Sequence, residues 1–325
     1  MKQYKDDVEA IAGFLEKYKE VKKEIAKVIV GQDQVVENVL IPIFSRGHGL
    51  LIGVPGLAKT LLISTISEVM GLTFSRIQFT PDLMPSDIVG SEILDENKHF
   101  KYIQGPVFAN ILLADEINRT PPKTQSALLE AMQERVVTVA GKPYPLPDPF
   151  FVLSTQNPIE QEGTYPLPEA QLDRFMFNII LDYPSFQEEV DIVKSTTAPG
   201  QQKPEVVISR EEILFYQELI RRIPVADNLY QYAVRLASKT RPGTAAAHEW
   251  ANLYLNWGAG PRASQFLIIG AKCHAAIHGK YSPDIENINA VADIVLRHRI
   301  VRNFKAEAEG VSVEDIIGKF ISSSK

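Results

Sequence analysis

Cysteine is almost missing from this chain: Cys273 stands alone, so no internal disulfide can close and a reducing compartment fits. There is also no run of about 18 apolar residues, the length a membrane-spanning helix needs. Residues 1–25 mix both charge signs with apolar residues at helical spacing, unlike the unbroken apolar core of a signal peptide. A cytoplasmic location without membrane insertion is therefore expected. An excess of positive charge is lacking as well. The formal net charge is -6, which argues against a surface built mainly to neutralise nucleic-acid phosphates. What remains is ordinary for a soluble globular protein, with 45% apolar and 23% charged residues in a chain long enough for two domains.

Apolar runs set the organisation. Residues 50–53, 73–79, 109–116, 150–157 and 177–183 read as near-continuous apolar strands, and helical stretches such as 124–135 separate them. That alternation predicts an α/β fold, a parallel sheet with helices on both faces. Two segments interrupt it: 91–105, around Asp95, Glu96 and Asn97, and 135–149, around Gly141 and Lys142, both read as hairpins. The polar stretch 195–205, with Pro199, Gly200 and Pro204, marks a domain boundary. The division expected is a nucleotide-binding core over 1–200 and an all-helical domain over 201–325.

The segment GVPGLAKT, residues 53–60, follows a strand and opens a helix, the setting of a phosphate-binding loop. Gly53 and Gly56 permit tight turns, Pro55 stiffens the loop, and Val54 and Leu57 complete it. Backbone amides there converge on phosphate oxygens at the positive end of the helix. Lys59 would reach the β- and γ-phosphates, and the Thr60 hydroxyl would ligate Mg²⁺. Ala58 stands where the usual motif has glycine. Helical torsion angles are expected at 58, and these suit any L-residue.

Four further groups follow. The strand ending at Asp115 and Glu116 offers one carboxylate to hold Mg²⁺ and another to orient and deprotonate a water. Asn157 ends a strand where its amide would face the γ-phosphate, although an asparagine before proline is equally a turn former. Arg174, just ahead of the last strand, would supply charge to a neighbouring subunit's γ-phosphate, an effect on the order of 10³ to 10⁵ in rate. Its plain alternative is an ion pair with Asp173 or Glu169. Arg262 projects from the start of a helix after Pro261, where a cation opposes the dipole and an anionic partner would explain it.

Together these residues resemble the AAA+ P-loop ATPases, and within them the MoxR family, from about residue 28 to the C-terminal helices. Residues 53–60 look like that family's Walker A motif, alanine included, and residues 112–134 resemble its Walker B and following helix. The resemblance implies that Asn157 is sensor 1, Arg174 the arginine finger and Arg262 sensor 2. It implies that Val30 and Gly31, in the stretch VIVGQ, lie beside the adenine, and that the hairpins are the helix-2 insert and the pre-sensor hairpin. It further implies a helical lid, ATP and Mg²⁺ as cofactors and a ring, usually hexameric. The work implied is chaperone-like remodelling or metal loading of client proteins, with von Willebrand factor A domain partners.

Two other functions compete with this one. A nucleic-acid motor would need basic hairpins, but 91–105 and 135–149 balance their lysines and arginine with acids. A scaffold that binds ATP without hydrolysing it would not need Glu116. His274 and His278 have metal-ligand spacing but no third ligand, and Arg297, His298 and Arg299 suit a helix end by the dipole alone. Phe74, Phe79, Phe150 and Phe151 are assigned to core packing.

Overall fold

The computed structural model describes residues 4–94, 96–159, 163–197 and 202–324. These divide into two compact units. One comprises residues 17–168 and 179–215, and the other gathers the residues up to 16, 169–178 and those from 216 onward. Asp95 of the first hairpin turn, and the expected changeover at 200, lie outside the described residues.

The first unit is built on a five-stranded sheet. In chain order the strands are β1 (Gly49–Gly53), β2 (Phe74–Gln78), β3 (Gly90–Leu94), β4 (Phe100–Gln104), β5 (Ile111–Asp115), β6 (Val136–Val139), β7 (Lys142–Pro145), β8 (Phe151–Gln156) and β9 (Phe177–Leu181), the last belonging to this unit from Ile179 onward. The sheet order is β2-β5-β8-β1-β9, with the β2–β5, β5–β8 and β1–β8 pairs parallel. β5 is buried along its whole length and β8 for all but its last residue, which explains their unbroken apolar sequences. Phe79, Phe150 and Phe151 are buried in this core and Phe74 is half-buried, as core packing requires.

Parallel pairing puts the carboxyl ends of β1, β5 and β8 at one edge of the sheet, the usual place for ligands in open α/β sheets. The register sets Gln156 beside Ile52 and Ser154 beside Ala114. The two expected hairpins leave this frame as the antiparallel pairs β3–β4 and β6–β7.

The second unit is helical. Its helices include Asp227–Lys239, Pro261–Ile277, Ile285–Leu296 and Val313–Ser322. Small buried residues, Ala263, Gly270, Ala271, Ala275 and Ala276, let the helix Pro261–Ile277 pack closely on Ile285–Leu296. Two capping boxes fix helix starts: Asp284 with Asn287, and Ser312 with Asp315, each a contribution of about 1 kcal/mol. Beyond the expected helices there is, among the described residues, one short antiparallel pair, β10 (Leu255–Trp257) with β11 (Val301–Arg302). Strands of three and two residues leave no periodic signal in a sequence.

Candidate nucleotide site

The loop after β1 turns sharply before the helix Lys59–Val69. Gly56 has φ +89°, and a Cβ added there would meet nothing within 4 Å, so the loop is open on that side. The amides of Gly56, Leu57, Ala58, Lys59 and Thr60 donate to no acceptor among the described residues. Unpaired N–H groups at a helix start form a cradle for an anion. Lys59 folds back over the loop, its Nζ donating to the carbonyl of Gly53 at 2.6 Å. Burial pulls its pKa down, while Asp115 and Glu116 pull it up.

Ala58 is not helical: its φ of 54° and ψ of 26° are left-handed. Turning successive amides inward demands that conformation where the loop enters the helix, and it costs an alanine about 1 kcal/mol. The residue is exposed, so its methyl group meets no steric obstacle.

At the end of β5 the carboxylates are held by named partners. The Thr155 hydroxyl, from β8, donates to Asp115 Oδ1 at 2.6 Å. Arg76, from β2, donates to Oδ2 through both Nε and an η nitrogen, at 3.2 and 2.7 Å. Glu116 has a left-handed φ of 58°, and its amide donates to Thr155 Oγ1 at 2.8 Å. Gln78 and Arg119 donate to Glu116 Oε2 at 2.8 and 3.1 Å. Asn157 follows β8 at the level of Gly53, is buried, and takes the amide of Ile159 on its Oδ1 at 3.1 Å. Thus Lys59, Asp115, Glu116 and Asn157 share one edge of one sheet.

The donor set suits a hydrated divalent cation: a hydroxyl from Thr60 and a carboxylate from Asp115 are hard oxygen ligands, few enough to leave water on Mg²⁺. Val30 and Gly31 lie in a loop tied down from afar. Gly31 has φ +69°, and a Cβ there would come within 2.4 Å of the Glu188 carboxylate, so a side chain at 31 would be strained and would displace Glu188. Glu188 accepts the amides of Gln32 and Ser185 at 3.3 and 2.8 Å. The Ser185 hydroxyl and these amides hold its pKa below the usual range.

Arg174 and Arg262 belong to the second unit. Asp173, the residue before Arg174, accepts from Arg262 at 3.1 Å on one oxygen and from Arg299 at 2.7 Å on the other. Arg299 also donates to the carbonyls of Asp173, Phe175 and Met176, and stacks over Phe266 with its Cζ 5.0 Å from the ring centroid. Burial lowers its pKa to about 10, with Asp173 opposing. Neither Asp173 nor Glu169 is consumed in the way the plain alternative for Arg174 foresaw, since Glu169 has no ion-pair partner among the described residues.

Comparison with known proteins finds matches to both parts of the chain. Residues 48–177 match the ATPase family associated with various cellular activities (AAA), and residues 247–319 match the AAA lid domain. The chain is 45% identical over 302 residues to chaperone MoxR1 of Mycobacterium tuberculosis, covering 92% of this chain and 80% of that protein. It is 40% identical over 324 residues to the YeaC protein of Bacillus subtilis, covering 99% and 97%. A solved structure from Cytophaga hutchinsonii superposes with TM-score 0.90 at 43% identity, covering 96% of this chain and 95% of that one. The chain belongs to the MoxR family of AAA ATPases.

Several residues of this MoxR-family site were not foreseen from sequence: Arg76, Gln78, Arg119, Thr155, Asp173, Glu188 and Arg299. Arg76 and Gln78 left one clue, since polar residues two apart in a strand share a face. Arg299 was assigned to a helix end by the dipole. It does donate to the Val295 carbonyl there, but most of its bonds go to the 173–176 segment. His298 is likewise buried, with Nε2 3.0 Å from the Phe175 carbonyl. His274 is half-buried and stacks on the exposed His278 with centroids 4.3 Å apart.

Proposed function

We propose that this chain binds and hydrolyses ATP with Mg²⁺, and that a ring of subunits uses the energy to remodel client proteins. The observation that carries this is the shared sheet edge, where an anion cradle, Lys59 and two adjacent strand-end carboxylates converge. Residues 1–200 serve as the nucleotide-binding core and 201–325 as the lid. The amides of residues 53–60 and Lys59 hold the phosphates, and Val30 and Gly31 border the base. Thr60 and Asp115 would hold Mg²⁺, which neutralises charge on the β- and γ-phosphates when bound. Glu116 takes a proton from the attacking water and Asn157 orients that water.

Arg174 and Arg262 act together on the nucleotide of a neighbouring subunit. Asp173 supports this reading, because it joins the Arg262 side chain to the turn that bears Arg174. A hexamer is the ring size favoured by family resemblance. Chaperone-like work on protein clients, with von Willebrand factor A domain partners and with metal loading as one form, is drawn from that resemblance and from the name of the M. tuberculosis relative. A soluble cytoplasmic location accords with the lack, among the described residues, of a helix long and apolar enough to cross a membrane.

Glu116→Gln tests the reading. ATP affinity should stay within about twofold while turnover falls at least tenfold, toward the roughly 10² that a general base supplies. Unchanged turnover removes Glu116 from this role. Mixing Glu116→Gln with Arg174→Ala protein should restore part of the activity, because a mixed ring contains intact interfaces.

A further inference from the structure

The second unit holds a cavity of about 540 Å³ bordered by Glu169, Asp173, Asn256, Trp257, Gly260 and Arg299. That volume is in the range of sites that take small ligands. Its chemistry can be read by elimination. Arg299 is the one cation of the lining, and it is spent: it is 2% exposed and bonded to Asp173 and to main-chain carbonyls. Asp173 is spent in turn on Arg299 and Arg262. A phosphate or carboxylate entering the cavity would therefore find no available positive group.

Three valences remain unmatched. The Glu169 carboxylate is exposed and has no hydrogen-bond or ion-pair partner among the described residues. The Trp257 indole is 65% exposed, although tryptophan gains most from burial. Asn256 uses its amide nitrogen on the Arg302 carbonyl at 3.4 Å, which leaves its oxygen to accept. A carboxylate, an amide oxygen and an indole face together complement a flat cation. Guanidinium stacks on an indole while donating in its own plane to a carboxylate and an amide oxygen.

The geometry points to this cavity as the receptor for an arginine side chain of a second copy of this chain. The second copy is chosen because the floor of the cavity is continuous with the proposed subunit contact: Asp173 precedes Arg174 and holds Arg262. That choice of occupant rests on the ring reading above, whereas the cation chemistry of the cavity does not.

Two measurements separate these claims. The first uses full-length Trp250→Phe protein, in which Trp257 is the remaining indole, at a concentration where it is monomeric. N-acetyl-arginine amide should quench Trp257 fluorescence saturably, the neutral citrulline counterpart should not, and Glu169→Gln should abolish the response. Equal quenching by both probes, or none by arginine, overturns the cavity as a cation receptor. The second measurement follows association of the full chain with ATP by sedimentation. Glu169→Gln should raise the concentration for half-association at least about fivefold, with ATP affinity of the dilute monomer unchanged. If the unaltered chain associates and Glu169→Gln associates equally well, the second copy is not the occupant and the ring reading stands. If the unaltered chain does not associate with ATP at all, the ring reading itself has failed, and the choice of occupant falls with it.

Discussion

The nucleotide edge of the first unit and the arginine cluster of the second are both networks of charge, but they are held in opposite ways. At the edge, backbone turns set the geometry, with Ala58 and Glu116 both left-handed, and the surrounding cations stay near water, Arg76 at 45% and Arg119 at 43% exposure. In the cluster a nearly inaccessible guanidinium fixes a short loop through its main-chain carbonyls. The edge contacts are half-exposed, whereas those of Arg299 are enclosed. Half-exposed pairs suit a site that exchanges partners, and enclosed bonds suit a loop held in one conformation.

The sharpest way to break this contrast is to remove one arginine from each region. Arg299→Met leaves Asp173 and several carbonyls without their buried donor, and it should cost about 3 kcal/mol or more in denaturant unfolding. Arg76→Met, at a half-exposed pair, should cost less than about 1 kcal/mol. Equal losses would show that the two networks are held alike.

Acid should destabilise both units through buried histidines. His48 lies at the opposite end of the same sheet, just before β1, with Nδ1 accepting from the Val152 amide at 3.0 Å and Nε2 donating to the Met132 carbonyl at 3.1 Å. Burial, with Arg135 adding to it, lowers its pKa to about 4. Burial and Arg299 lower that of His298 well below the ordinary value. The folded state thus refuses a proton that the unfolded chain accepts below about pH 6.5. The stability these neutral rings contribute is fully present above that pH and is lost as pH falls toward 4. For His48 the loss by pH 5 should be about 2 kcal/mol. The unfolding temperature should fall from pH 7 to pH 5, and less steeply in His48→Gln. Parallel slopes for the two proteins would remove His48 as a cause.

The same contrast explains what could be read from the sequence. The strands were legible because burial on both faces demands unbroken apolar runs, and the tight turn between β1 and its helix because its glycines are adjacent in the chain. The hairpins announced themselves by polar turns between alternating segments. The arginine cluster was not legible. Asp173 and Arg299 stand 126 residues apart, and the pairing of a lone Asp with an arginine near a helix end has no local signature. Glu188 clasping the loop at Gln32 is hidden for the same reason. Ala58 was misread because its neighbours spell a helix start, while the demand for a left-handed residue comes from where the amides must point.

That residue supports the finest test. Ala58→Gly relieves left-handed strain of about 1 kcal/mol, but glycine also gives the unfolded chain more freedom, which opposes it by about 0.4 to 1 kcal/mol. The two terms nearly cancel, so unfolding free energy should change by less than about 0.5 kcal/mol and ATP affinity by less than about twofold. Ala58→Val keeps the freedom term small and enlarges the strain, because a β-branched residue tolerates positive φ poorly. It should therefore weaken ATP binding several-fold in calorimetric titration. If glycine weakened binding as much as valine, the left-handed turn would not be what aims the amides, and the alanine would matter for its methyl group instead.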